Sequence, residues 1–268
     1  MPNTVIDVAN LSKTFDTGTR ALRDVTLQIP AGQMVALIGL SGSGKSTLMR
    51  HLNGLTSPTS GDVWVLDTHI NTASKKQLRE VRRHIGFIFQ QFGLVGRITA
   101  LENVLSGALG SLTGPRFGVG SYPLKLRRQA LEHLDRVGMA DYAFQRADTL
   151  SGGQMQRVAI ARSLMQQPSV MLADEPVASL DPESSAQVME ILLRVATEEN
   201  LTVLVTLHQV ELALGWAERI IGLRDGEVVL DDAPKKIGKK KVMEVYQRVA
   251  TDDVNLEEIT QESIRALE

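Results

Sequence analysis

The 268-residue chain contains no cysteine. This excludes a disulfide framework, a thiolate zinc site, an iron–sulfur cluster and a cysteine nucleophile, and it fits a reducing compartment. Long apolar runs are also missing. The longest, residues 35–38 and 201–207, fall far short of the ~20 residues needed to cross a bilayer. Residues 1–10 hold no basic stretch followed by an apolar one, so no signal peptide is expected. These features predict a cytosolic chain, held by a partner if it works at a membrane. Neither charge dominates: 29 Lys and Arg face 31 Asp and Glu, a net charge of −2, which argues against binding nucleic acid by bulk charge. There is no internal repeat. With 43% hydrophobic and 22% charged residues, the composition is that of a globular chain able to bury a sizeable core in one large domain or two small ones.

Polar and apolar residues alternate over residues 5–15 and 21–29, which predicts two strands. Short apolar runs at residues 34–38, 85–89, 170–173 and 201–207 predict strands too, the first, third and last of them buried. Residues 99–167 turn helical, with a glycine-rich break at 110–120, and residues 183–199 read as a helix. Residues 219–230 read as a hairpin turning at Asp225-Gly226. Strands alternating with helices imply a mostly parallel α/β sheet.

The run at 34–38 leads straight into Gly39-Leu40-Ser41-Gly42-Ser43-Gly44-Lys45-Ser46-Thr47 and then a helical pattern. This fits the phosphate-binding loop G-x-x-x-x-G-K-[ST] in its strand–loop–helix setting. Its glycines let backbone N–H groups turn inward around phosphate oxygens, and the helix start adds positive potential. Lys45 would neutralise β- and γ-phosphate charge, and Ser46 would ligate Mg²⁺. The run at 170–173 ends in Asp174-Glu175. Two acids simply ending a strand would be unremarkable, but beside a phosphate loop they fit a Mg²⁺-holding Asp174 and a Glu175 that acts as general base or orienter of the attacking water.

Leu150-Ser151-Gly152-Gly153-Gln154 precedes another helical run. Ser151 here can be an ordinary helix cap, or with the glycine N–H groups a second anion-binding helix start. At this peptide the sequence resembles the ATPase subunits of ABC transporters, over about residues 4–232. The resemblance implies a P-loop NTPase fold with a RecA-like, mostly parallel sheet core, an antiparallel β subdomain and a helical subdomain. It places the ATPase domain at residues 1–232, the helical subdomain at about 91–167, and a C-terminal helical extension at 233–268. It also implies a head-to-tail homodimer in which Ser151 to Gln154 of one copy complete the γ-phosphate site of the other, with ATP and Mg²⁺ as cofactors. Gln90 matches the glutamine that senses Mg²⁺ and water, Asp181 the loop crossing the dimer interface, and His208 the switch histidine that contacts the γ-phosphate. Phe15 stands where the family stacks an aromatic ring on adenine. Taken alone, Gln90 is a surface amide, Asp181 a cap before Pro182, His208 one of five histidines and Phe15 a packing residue at a strand end. Met155 stands where glutamine is usual, and Phe15 where tyrosine is commoner.

Within that family the sequence is most similar to the subunit of phosphonate importers. The peptides at residues 50–55, 89–97, 103–110, 145–148, 176–179 and 207–210 carry this likeness. It implies transport of phosphonate, phosphite or phosphate, with transmembrane permease subunits docking residues 91–122, an extracytoplasmic binding protein, no nucleic acid, and a peripheral location on the cytoplasmic face of the inner membrane. The alternative is an ATPase of another ABC transporter, such as a polar amino-acid importer or a lipoprotein-release or cell-division complex. A coiled-coil arm and a guanine-reading N-K-x-D motif are both absent from the sequence.

Beyond residue 232, residues 239–250 put Val242, Val245, Tyr246 and Val249 on one helical face. Asn255 and Glu258 resemble a capping box opening a second helix with Leu256 and Ile259 on one side. Lys235, Lys236 and Lys239 to Lys241 form a basic cluster. The tail is expected either to pack on its own domain with its lysines in solvent, or to meet another copy or anionic lipid.

Overall fold

The computed structural model describes residues 3–115, 117–237 and 245–246, with the backbone alone at 210 and 211. The central feature is a six-stranded sheet in the order β10-β9-β3-β8-β7-β6. It uses β3 (Met34–Ile38), β6 (Ile85–Ile88), β7 (Val170–Ala173), β8 (Thr202–Leu207), β9 (Arg219–Arg224) and β10 (Glu227–Asp232). All pairings are parallel except β9 with β10. The hairpin of β9 and β10 turns at Asp225 and Gly226, both with positive φ (50° and 84°), as a two-residue Asp-Gly turn requires.

The apolar runs of β3, β7 and β8 are continuous because both faces of this sheet are covered. Successive side chains point to opposite faces, so each strand feeds two cores. Ala36, Ile38, Met171, Ala173, Val203 and Val205 face one core. It is filled by α3 (Ala100–Ser106), α4 (Leu124–Arg136), α5 (Gly152–Leu164) and α6 (Pro182–Glu198). Val35, Leu37, Val170, Leu172 and Leu204 face the other. There they meet α1 (Lys45–Leu52) and a second, antiparallel sheet in the order β2-β1-β4-β5. That sheet comprises β1 (Thr4–Thr14), β2 (Arg20–Pro30), β4 (Ser60–Val65) and β5 (Thr68–His69).

Several elements go beyond the sequence expectations. The strand expected over 85–89 stops at Ile88, and Phe89 is exposed against Phe87 at a ring separation of 4.5 Å. β4 and β5 were not expected, because only Val63 and Val65 carry the apolar alternation. α2 (Lys75–Arg83) was not expected either: it buries only Val81 and is set by the Ser74–Gln77 capping box. α7 (Val210–Trp216) follows β8. Of the expected tail, residues 233–237, with Lys235 and Lys236 exposed in a short 3₁₀ turn, and Val245 and Tyr246 fall among the described residues. The remaining tail positions, including Val242, Val249, Asn255, Leu256, Glu258, Ile259 and Lys239 to Lys241, lie outside them. No helix among the described residues is long and apolar enough to cross a membrane.

Two buried histidines make the fold sensitive to acid. His133 on α4 has no hydrogen-bond partner on either ring nitrogen, and His51 on α1 uses only Nδ1, 2.7 Å from the Thr47 carbonyl. Burial pushes both below the usual histidine range. At these two sites the unfolded chain therefore binds more protons than the native one from about pH 6.5 down to the lowered native pKa, and their contribution makes stability fall as pH drops through that window. Chemical denaturation at pH 7 and pH 5 is expected to show a smaller acid-side loss for His133→Leu than for the parent chain. An identical loss would show that His133 stays uncoupled from folding.

Candidate active site

The register of the parallel strands assembles the site. Ile38 pairs with Leu207, Ala173 with Val205, and Ile88 with Ala173. The C-terminal ends of β3, β8, β7 and β6 therefore lie side by side, and each gives way to polar residues there: the loop from Gly39, then His208, then Asp174-Glu175, and Gln90 beyond Phe89. Open α/β sheets bind ligands at this edge.

Two glycines of the loop are sterically fixed. A Cβ on Gly39 (φ 150°) would stand 2.2 Å from the Leu223 carbonyl, and one on Gly44 (φ 106°) 2.5 Å from the Ala21 carbonyl. The loop is thus pressed against β9 and β2. Gly44 caps α1 without a side-chain hydrogen bond, so the first N–H groups of that helix are free to meet an anion. The Lys45 ammonium is buried and donates to the carbonyls of Gly39 (2.8 Å) and Leu40 (3.0 Å). Burial lowers its pKa, while the negative charges of Glu175 and Asp174 work in the opposite direction. Ser43 is buried, with its hydroxyl unpartnered. Ser41 is exposed at the loop tip, and Gly42 (φ 83°) has open space where a Cβ would stand. Ser46 and Thr47 open α1 after Lys45.

Ser46 Oγ donates to Asp174 Oδ1 at 3.1 Å. The same carboxylate oxygen accepts from Thr206 Oγ1 at 3.0 Å, and Thr206 Oγ1 accepts the Glu175 N–H at 2.6 Å. Glu175 has φ 50°, a left-handed conformation that costs a non-glycine residue about 1–3 kcal/mol and persists only where its surroundings enforce it. Thr206 is one such enforcing contact, and the sequence reading missed it. Its visible signal is a hydroxyl inside the apolar strand Thr202–Leu207, two residues before His208. The half-exposed His208 ring meets Glu175 Oε1 through Nε2 at 2.6 Å.

The other expected site residues lie apart from this cluster. Gln90 is exposed beyond the β6 edge. Just past it, Phe92 and Gly93 have positive φ, and the Arg162 guanidinium of α5 donates to both of their carbonyls. Phe15 sits at the β1–β2 turn, 39% exposed, with the Lys13 ammonium 5.3 Å from its ring centroid. Ser151 and Gln154 form a reciprocal capping box at the start of α5. A Cβ on Gly152 would lie 3.0 Å from Leu180, and one on Gly153 3.1 Å from Ser184. Asp181 caps α6 by accepting from the Ser184 N–H at 2.9 Å, and this bonding lowers its pKa. Ser151 and Asp181 therefore do act as helix caps. Among the described residues, no hydrogen bond or ion pair joins 151–154 or Asp181 to Lys45, Asp174 or Glu175 of the same chain.

Replacing Thr206 by the isosteric valine strands the Glu175 N–H and removes a donor from Asp174. Urea unfolding of Thr206→Val is expected to show a loss of about 1–3 kcal/mol; parent-like stability would remove Thr206 from this network.

Residues 22–178 match the family model for the ABC transporter. The chain is 57% identical over 245 residues to the phosphate-import ATP-binding protein PhnC of Mycolicibacterium smegmatis, covering 91% of this chain and 93% of that protein. It is 57% identical over 230 residues to the phosphonates import ATP-binding protein PhnC of Frankia casuarinae, covering 86% and 91%. Among solved structures it resembles the dimeric ATP-binding cassette MJ0796 bound to ADP and Pi, with a TM-score of 0.76 and 37% identity over 87% of this chain and 100% of that one. It also resembles cbiO1 of Clostridium perfringens, part of the transporter complex cbiONQ, with a TM-score of 0.78 and 27% identity over 98% and 99%. The phosphate loop, the acidic strand end and the histidine beyond β8 therefore sit in an ATP-binding cassette fold, and the chain belongs to the ABC transporter family.

Proposed function

We propose that this chain is the ATP-hydrolysing subunit of an importer for phosphonate, phosphite or phosphate. The observation that carries the hydrolytic part is the convergence of Lys45, the Ser46–Asp174 pair and the Glu175–His208 pair on one sheet edge. The similarity to import subunits named for phosphate and phosphonates supports the transport part.

ATP is bound by the loop from Gly39 to Thr47, with Phe15 stacking on the adenine. The α1 N–H groups and Lys45 hold the β- and γ-phosphates, and Lys45 exchanges its loop carbonyls for phosphate oxygens. Ser46 and Asp174, a hydroxyl and a carboxylate 3.1 Å apart, would hold Mg²⁺, and Gln90 would join them from beyond β6. Bound there, Mg²⁺ supplies charge neutralisation at the phosphates. Glu175 orients the attacking water and takes its proton as the water oxygen bonds to the γ-phosphorus and the bond to the β–γ bridging oxygen breaks. His208, held on Glu175, contacts the γ-phosphate.

Two copies face head to tail, so that Ser151, Gly152, Gly153 and Gln154 of one reach the γ-phosphate held by the other, with Asp181 at the shared interface. Residues 1–232 form the ATPase domain, including the helical subdomain at about 91–167, and residues 233–268 extend it. The permease subunits dock on residues 91–122, and an extracytoplasmic binding protein delivers the solute. The chain works peripherally at the cytoplasmic face of the membrane.

ATPase activity of the complex purified with its permease and binding protein, titrated with phosphonate, phosphite and phosphate, tests this directly. Stimulation by one of them is expected. Glu175→Gln should cut turnover by roughly 10²–10⁴ while ATP still binds. Turnover that depends on Glu175 but ignores all three solutes would assign the chain to another ABC transporter. Parent-like turnover of Glu175→Gln would remove the general base.

A further inference from the structure

Residues 245 and 246 return to the site from beyond the last strand. Both have helical backbone, and the Val245 side chain is fully buried. It fills a gap that only glycine leaves open: a Cβ on Gly222 of β9 would stand 2.6 Å from Val245 Cγ2. Gly222 immediately precedes Leu223, the residue whose carbonyl presses on Gly39 of the phosphate loop. Tyr246 packs against the same core, and its hydroxyl donates to the main-chain carbonyl of His208 at 3.1 Å.

That carbonyl lies at a sharp corner. His208 is the bend just after β8, and α7 begins at Val210 behind Gln209, which offers no side-chain cap. The His208 ring itself is held at Glu175, 2.6 Å away. The carbonyl and the imidazole hang from the same Cα, so a shift of the backbone at His208 moves the ring off Glu175. A hydrogen bond on the carbonyl, made by a residue anchored through Val245, restrains that shift.

We infer that Tyr246 is a positioning residue for ATP hydrolysis: its hydroxyl fixes the His208 main chain so that the imidazole stays on Glu175. The inference rests on the roles given to His208 and Glu175 above. Val245 and Tyr246 then support the catalytic groups, and displacing them slows turnover without weakening nucleotide binding.

The test uses the full-length chain in its permease complex. Tyr246→Phe removes one oxygen. It is expected to lower kcat about two- to tenfold, the range for one lost hydrogen bond, with KM for ATP unchanged. Tyr246→Met, which keeps apolar bulk without a hydroxyl, should match it. In a His208→Ala background Tyr246→Phe should change kcat no further, because the ring it positions is gone. Unchanged kcat in both Tyr246 variants, a raised KM, or an equal fractional loss in the His208→Ala background would each overturn the inference. Parent-like turnover of His208→Ala itself would remove the role of His208, and the inference with it.

Discussion

The burial of both faces of the central sheet is the constraint from which the site follows. β3, β7 and β8 are buried along almost their whole length, so polar chemistry finds room mainly where the strands end. Parallel pairing aligns those ends, with Ile38 beside Leu207 and Ala173 beside Val205. Lys45, Asp174, Glu175 and His208, distant in sequence, are thereby delivered to one edge. Thr206 breaks the rule inside β8 and is fully buried. Its hydroxyl is satisfied on both sides, by Asp174 and by the Glu175 N–H, which is the condition for a polar group to be kept at such a place.

The edge is balanced electrostatically. The buried Lys45 ammonium is destabilised by loss of solvent and restored in part by Asp174 and Glu175. Ser46 and Thr206 both donate to one oxygen of Asp174. Glu175 is held in a left-handed backbone conformation with its carboxylate on His208. The Arg162 contact gives a second line of connection, from the helix that opens at Ser151 to the turn just beyond Gln90.

Much of this was legible in the chain. The loop from Gly39 to Thr47, the acids after β7 and the histidine after β8 are all marked by apolar runs that stop at polar residues. The turn at Asp225-Gly226 is equally explicit. β4 and α2 were not legible, because their apolar patterns are too short: Val63 and Val65 in one, Leu78 and Val81 in the other. The capping box that opens α2 was visible but carries little weight without a following apolar face. Thr206 escaped because threonine is common in strands, and only its two partners, 31 and 32 residues away in the chain, distinguish it. Asp181 and Ser151 look like simple caps because within one chain that is what they are. Any further role depends on a second copy. The hydrogen bond from Tyr246 to His208 spans 38 residues and has no local signature.

Under the proposed function a second chain completes the site, and the absence of cysteine makes a clean reporter available. Glu175→Gln chains carrying Ser41→Cys are mixed with Glu175→Gln chains carrying Ser151→Cys and treated with a short bis-maleimide, with and without ATP and Mg²⁺. ATP-dependent cross-linking between the two kinds of chain is the predicted result. Cross-linking independent of ATP, or none in chains that bind ATP normally, would rule out a site shared between two chains.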